Sequence, residues 1–439
     1  MSEVEIAVVG GGIAGLSCAT ELAAHGSELV VLEAERRVGG PAETRRMDKF
    51  LLERGPNTVR SSPELEDLIE HAGLSLLRAR RGAPFLVSDG RLIRLPPSPR
   101  ELLRGIPLPS RGWLELLGEP FRPRHRPPTT VRAFVETRLG PTVAEHLADL
   151  LTLGVYGASA DRIGFESAYP ELARRLERHG SLLRTALTGR RPRGAARSAR
   201  GLISTPAGLA ALPERLAERL GSQVRLRTPV RSVRRGHGVF ELLAGESGEE
   251  KLSARRVVLA VPPHQAAKLL AGTPAARPLS RYRSTPQTLA SFAIEEATCV
   301  ERWAGFGFLA PSREGLPLLG GLFPSFLFPG RAPRDTLLVV VFVGPALVDE
   351  TDATLASELG ALLQRLLRST QAPILLDVAR HPQGIVLYDR RHRDRTRIAR
   401  RELEAIGGLQ LAGAAYDGVG FGKAAASGRA AARTLLELG

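Results

Sequence analysis

Short apolar runs and longer helical spacings alternate along this chain. Residues 4–9 (VEIAVV) read as a buried strand, Leu16 to His25 as a helix with small residues at Ala19 and Ala23, and Glu28 to Leu32 as a second strand. SPELEDLIEHAGL (62–74) predicts a helix with Ser62 as N-cap and Pro63 in its first position, where the missing N–H costs nothing. Phe85 to Val87, Asp89-Gly90 and Leu92-Ile93 predict a hairpin. Helical stretches are expected over 131–151 and 168–186, then a turn and a helix within 202–220, followed by strands over 224–233, 239–243 and 256–261. A second sheet is expected from strands at 286–295 and 336–343, with a helix over 355–367. The chain closes with a strand at 409–413, a glycine turn and a helix from 423 to 438.

Between the first strand and the first helix lies Gly10-Gly11-Gly12-Ile13-Ala14-Gly15, and the second strand ends at Glu33, 23 positions after Gly10. Strand, glycine turn, helix, strand and acid is the arrangement of a dinucleotide site. Gly10 permits the turn, Gly12 admits a diphosphate to the backbone, and Gly15 allows close helix packing. The helix N-terminus faces the phosphates, and Glu33 accepts hydrogen bonds from a ribose. Glu33-Ala34-Glu35-Arg36-Arg37-Val38-Gly39-Gly40 extends the pattern with a Gly-Gly pair after the acid, which looks like the fingerprint of two-dinucleotide-domain flavoproteins. Gly55-Pro56-Asn57 follows. FAD rather than NAD is the cofactor this pattern favours, with Arg37 the arginine expected near its diphosphate.

Composition adds limits. The 439 residues carry 43% hydrophobic and 24% charged side chains, enough for a sizeable core and two or three domains. The net charge is +15, and only four of the 61 basic residues are lysine. Arginine forks suit carboxylates and phosphates. Cys18 and Cys299 are too few for a disulfide scaffold or a zinc cluster, so a reducing compartment is the default. No run of about 18 apolar residues spans a bilayer, and no basic leader precedes the first strand, which argues against Sec-type export. Residues 94–200 are rich in proline and arginine, with Leu102, Leu103, Ile106, Leu108, Trp113, Leu114, Leu116 and Leu117 between the charges. Six arginines crowd 184–200. Three readings compete here: a helical insert with a solvated loop, a surface that docks on anionic lipid, and nucleic-acid binding. No recognised module accompanies the charge, which disfavours the last.

The chain resembles the protoporphyrinogen oxidase family, oxygen-dependent members of the monoamine-oxidase-like flavoproteins. The matching strings are Gly10 to Gly15 with Glu33 and Gly39-Gly40, Leu52 to Asn57, Gly154-Val155-Tyr156-Gly157, Phe306 to Pro311, Leu322 to Pro329 ahead of Arg331-Ala332-Pro333, and Gly413 with Gly418-Val419-Gly420. The resemblance implies an α/β class, α+β overall: a Rossmann-like FAD-binding domain, a discontinuous mixed-sheet substrate domain and a helical insert. The FAD-binding parts would be 1–78, 201–265 and 401–439, the substrate parts 79–95 and 266–400, and the membrane-associating insert 96–200. The resemblance also places Val230 beside the adenine and Gly413, Gly418, Val419 and Gly420 against the flavin, with FAD bound non-covalently. It puts Gly154, Phe292 and Phe323 around the substrate, which is a porphyrinogen. Relatives often carry an arginine just before the hairpin, where this chain has Pro84; Arg80 or Arg81 would substitute. Relatives also carry Asp-Cys-Ile where this chain has Gly422-Lys423-Ala424, and Pro324 offers no donor to a propionate.

Oxidation of protoporphyrinogen IX to protoporphyrin IX, for heme biosynthesis, removes six electrons and six protons. A two-electron flavin would cycle three times, with molecular oxygen as the acceptor. No protein base and no metal ligand set are assigned. The same chemistry on coproporphyrinogen III is the nearest rival, followed by an amine oxidase or carotenoid-type desaturase and by a non-catalytic porphyrin-binding flavoprotein. The expected location is cytoplasmic, peripheral to the inner face of the cell membrane. A neighbouring heme-pathway enzyme and a homodimer stay open as partners, and nucleic acid is excluded.

Overall fold

The computed structural model describes residues 2–95, 108–122, 129–182, 184–185 and 201–437. Leu102, Leu103 and Ile106 of the apolar insert, and the arginines at 190, 191, 193, 197 and 200, lie outside the described residues.

The chain starts with β1 (Ser2–Val9), α1 (Ile13–Ala24) and β2 (Leu29–Leu32), then the hairpin β3 (Thr44–Met47) and β4 (Phe50–Glu53). Next come α2 (Pro63–His71) and the hairpin β5 (Phe85–Ser88) and β6 (Arg91–Arg94). The helical insert holds α3 (Ser110–Leu117), α4 (Val131–Leu139), α5 (Leu153–Tyr156) and α6 (Pro170–His179). After α7 (Ala211–Leu220) the strands β7 (Val224–Arg225), β8 (Val230–Gly236), β9 (Val239–Ala244) and β10 (Glu250–Leu259) follow. The last third contains β11 (Ser284–Glu295), β12 (Gly307–Leu309), β13 (Leu318–Leu322), β14 (Thr336–Val343), α8 (Asp352–Leu366), β15 (Ile374–Val386), α9 (His392–Ile406), β16 (Leu409–Leu411) and α10 (Phe421–Glu437).

The first sheet runs β7-β2-β1-β10-β9-β8, with β16 beside the end of β10. Its core is parallel: Val8 sits opposite Val31 on one side and Val258 on the other. Side chains alternate across a strand, so each strand feeds two cores. Ile6, Val8, Val31 and Val258 pack against α1 and α10, while Ala7, Val9, Leu32 and Leu259 pack toward Ala399 and Leu403 of α9. Helices cover both faces, which is why these strands are apolar throughout. Each buried aliphatic side chain contributes about 1.5–3 kcal/mol.

The second sheet runs β15-β11-β14-β13-β12-β5-β6. One face carries Ala290, Phe292, Ile294, Val339 and Val341 onto Leu355, Leu359 and Leu363 of α8. The other face carries Leu289, Val340 and Ala379. On that face Asp377 of β15 accepts from Arg45 Nη1 at 2.7 Å and Arg54 Nε at 2.9 Å, so it is turned toward the β3–β4 hairpin.

Two expectations change in detail, and one helix was not expected. The stretch over 131–151 breaks at Gly140, whose φ of +114° is followed by Pro141. The strand over 224–233 splits because Arg227 takes φ +51° two residues before Pro229. Helix α9 was hidden by its polarity: only His392, Thr396, Ala399 and Leu403 are buried.

Candidate active site

The parallel strands of the first sheet end together where Gly10 to Gly15 turn into α1. A Cβ on Gly10 would meet the Ala260 carbonyl oxygen at 2.6 Å, and one on Gly15 would meet the Gly10 oxygen at 1.9 Å, so both glycines are demanded by packing. Gly12 differs. A Cβ there meets nothing within 4 Å, and its φ of −72° suits any residue. No side chain caps α1, so its first amides point into that open space. Ile13 and Ala14 are buried behind it.

Glu33 leaves the end of β2 and turns back on this loop. Its Oε2 accepts from the Gly11 N–H at 2.6 Å and its Oε1 from the Glu35 N–H at 2.8 Å, with Ala34 exposed between them. A carboxylate oxygen has more than one acceptor site, so capacity for a ribose hydroxyl remains. Gly39 donates its N–H to the Gly11 oxygen at 2.9 Å, and the nearest atom to a Cβ on Gly40 is the Gly12 Cα at 3.7 Å. Arg37 shapes this second loop: its guanidinium donates to the Gly40 oxygen at 2.7 Å and to the Val38 and Ala42 oxygens at 3.1 Å. Gly55 passes so close to Pro41 that a Cβ would lie 1.8 Å from its carbonyl oxygen. Beyond the half-buried Pro56, Asn57 donates to the Gly55 oxygen at 3.1 Å, while its own buried Oδ1 has no partner.

The C-terminal turn joins from β16. Gly413 donates its N–H to Ser427 Oγ at 2.9 Å, and open space surrounds the missing Cβ positions of Gly413 and Gly420. The aliphatic stem of Lys423 lies over Gly418, and Val419 packs toward the helical insert. Helices α1 and α10 touch closely enough that a Cβ on Gly428 would lie 1.9 Å from the Ala14 oxygen. Val230 sits half-buried at the start of β8, in the same cluster as Val261, which follows β10.

The residues expected around a substrate are not brought together in the same way. Gly154 is exposed on α5, beside Leu309 of β12. Arg80 and Arg81 are exposed, without a side-chain ion pair among the described residues, and the Arg80 N–H donates to the Leu327 oxygen at 2.9 Å. Phe292 and Phe323 require correction. Phe292 is fully buried on the α8 side of the second sheet, because strand parity gives the opposite face to Leu289 and Ser291. Phe323 is also fully buried, against Phe85 and Phe308 with ring centroids 6.2 and 6.0 Å away. Neither ring offers a free face to a ligand.

Sequence reasoning missed a buried pair behind Gly55. Glu53 and Arg331 meet at 3.2 Å, and Glu53 also accepts from Thr44 Oγ1 at 2.7 Å and the Leu209 N–H at 2.9 Å. Burial raises the Glu53 carboxyl despite the arginine, and it lowers the Arg331 guanidinium. Their separation of nearly 280 positions left no local signal to find them.

The flavin containing amine oxidoreductase family model matches residues 13–436. The chain belongs to that family. It is an FAD-dependent oxidoreductase. Protoporphyrinogen oxidase of Homo sapiens is 30% identical, with 98% of each chain covered. Coproporphyrinogen III oxidase of Bacillus subtilis is 25% identical over 98% of this chain and 97% of that one. The crystal structure of a candidate protoporphyrinogen oxidase from Exiguobacterium matches with a TM-score of 0.82 and 26% identity, covering 100% of this chain and 99% of the other. The residues of this oxidoreductase fit FAD: Gly12 leaves open space where a side chain would stand, and the first amides of α1 have no side-chain cap, which suits a diphosphate.

Proposed function

We propose that this oxidoreductase converts protoporphyrinogen IX to protoporphyrin IX in heme biosynthesis, passing the electrons to molecular oxygen. The end-to-end match to a protoporphyrinogen oxidase, 98% of both chains, carries this reading.

Bound FAD supplies two-electron oxidation, so removal of six electrons requires three rounds. The chain's own task is to orient one face of the macrocycle and keep water from it. The open backbone of Gly154 admits a ring edge. Arg80 and Arg81 provide charge for propionates, and such pairs are stronger than neutral hydrogen bonds. Four bridging C–H and two N–H hydrogens are lost in all. Three leave as hydride from bridging carbons, and three leave as protons from nitrogen, one of them after tautomerisation has moved a bridging hydrogen to a ring nitrogen. No side chain need therefore act as a base.

Coproporphyrinogen III is the second reading, favoured by the Bacillus subtilis relative, which aligns over 97% of its length. It has four propionates where protoporphyrinogen IX has two. Anaerobic mixing of flavin-loaded protein with each porphyrinogen, against a control for spontaneous oxidation, separates the two. Fast flavin bleaching with protoporphyrinogen IX supports the proposal. Bleaching with coproporphyrinogen III alone moves the enzyme to that substrate, and bleaching with neither sinks both.

A further inference from the structure

The turn from Gly413 to Gly420 lies at the carboxyl ends of the parallel strands, the edge where α/β sheets bind their ligands. It contains one short helical turn, Ala414–Asp417, in which the Tyr416 N–H donates to the Gly413 oxygen at 3.1 Å, and side chains from outside tie its two ends. The Tyr388 hydroxyl donates to the Ala414 oxygen at 2.6 Å and accepts from the Gly418 N–H at 2.9 Å, so a single phenol bridges both halves of the turn. The Tyr388 ring lies flat on His392, with centroids 3.7 Å apart and planes 21° from parallel. Tyr282 meets His392 at a steep angle, with ring centroids 5.3 Å apart, and is itself fixed by a 2.7 Å hydrogen bond to Thr396 Oγ1. A second anchor holds the turn from within, where Asp417 accepts from Arg400 at 2.6 Å and Ser427 Oγ at 2.5 Å.

We infer that Tyr388, braced by the stacked His392 ring, is a positioning residue that sets the shape of the Gly413–Gly420 turn against bound FAD. The inference rests on the flavin site described above. It follows from two contacts that a phenol alone supplies: phenylalanine keeps the stack and loses both bonds. Restoring the turn's carbonyl and N–H to water loosens it, because each such hydrogen bond is a net restraint of modest size. The imidazole serves as a flat platform. Both of its nitrogens are buried without a partner, so its contribution is surface rather than hydrogen bonding.

The test uses the full chain with three variants, Tyr388→Phe, His392→Phe and His392→Ala. Amide hydrogen exchange across 413–420 is read in the flavin-free protein, and FAD dissociation is read by fluorescence. Tyr388→Phe is expected to speed exchange at Gly418 and to weaken FAD by roughly tenfold, the loss of two modest hydrogen bonds. His392→Phe keeps the platform and should stay within about threefold of wild type, whereas His392→Ala should match Tyr388→Phe. A folded Tyr388→Phe protein with unchanged exchange and unchanged FAD affinity overturns the inference. So does a Tyr388→Phe chain that fails to fold, which would make the ring a core residue only. Failure of the wild-type protein to bind FAD would strike the flavin site instead, and the exchange comparison would still judge the turn.

Discussion

His392 shows how one side chain can set a pH limit without taking part in chemistry. Burial pushes its pKa from 6.5 down to about 4; Arg395 adds to the shift, and Asp389 and Asp417 oppose it. The unfolded imidazole takes up a proton near pH 6.5, and the folded one refuses it until about pH 4. The stability it permits is therefore complete above pH 6.5 and is lost as pH falls toward 4, by about 3 kcal/mol in all. Replacing it with phenylalanine removes this loss while keeping the stack. Denaturant unfolding of wild type and His392→Phe between pH 7.5 and 4.5 should show curves that diverge in favour of the variant as acid is added. Parallel curves would mean that the imidazole is already charged or solvated.

At the level of elements, two glycines separate folding from ligand binding. Gly12 has backbone angles open to any residue and no neighbour within 4 Å of its missing Cβ. Gly12→Ala is expected to change stability by less than about 0.5 kcal/mol, as surface substitutions do. It should weaken FAD at least about tenfold, read by flavin retention on gel filtration. Gly428→Ala should do the reverse in order of cause: a Cβ 1.9 Å from the Ala14 oxygen forces α10 off α1 and costs about 1–3 kcal/mol, read by thermal unfolding. Equal effects from both would remove the distinction. Only the first glycine was legible in the sequence. Gly12 stood between a short apolar run and a helical spacing, and such apolar runs also marked β1, β2, β11 and β14. Gly428 lay in a run of alanine, serine and glycine where nothing marks a close crossing. Phe292 stood in a strand that was read correctly, but its face depends on α8, which packs there from more than 60 positions away. Parity within a strand is local; which face meets the cofactor domain is not.

For the molecule as a whole, the excess of arginine divides into two uses. Part of it is internal: Arg45 and Arg54 converge on Asp377, Arg429 bridges Glu21 and Asp67, and Arg331 meets Glu53. The helical insert is different, because it presents apolar side chains to solvent. Leu114, Leu117 and Phe121 are 69%, 75% and 90% exposed, and their spacing of three and four puts them on one side of α3 and the turn after it. Arg111, one turn earlier, keeps a side chain that is 78% exposed although it pairs with Glu115. No helix among the described residues is long and apolar enough to cross a membrane. An apolar ridge beside a cation on a strongly basic chain suits the surface of an anionic bilayer, where apolar side chains enter the headgroup region and arginines meet phosphate. We propose this ridge as the lipid contact. Sedimentation with phosphatidylglycerol vesicles should recover the wild-type protein far better than phosphatidylcholine vesicles do. The triple variant Leu114→Ser, Leu117→Ser, Phe121→Ser should bind at least about tenfold more weakly, since each apolar side chain withdrawn from lipid forfeits of order 1 kcal/mol or more. Its flavin content and unfolding midpoint should stay at wild-type values, because these side chains support no core. Undiminished vesicle binding by the variant would assign the contact to other residues, and equal binding to both lipids would remove the arginines' part in it.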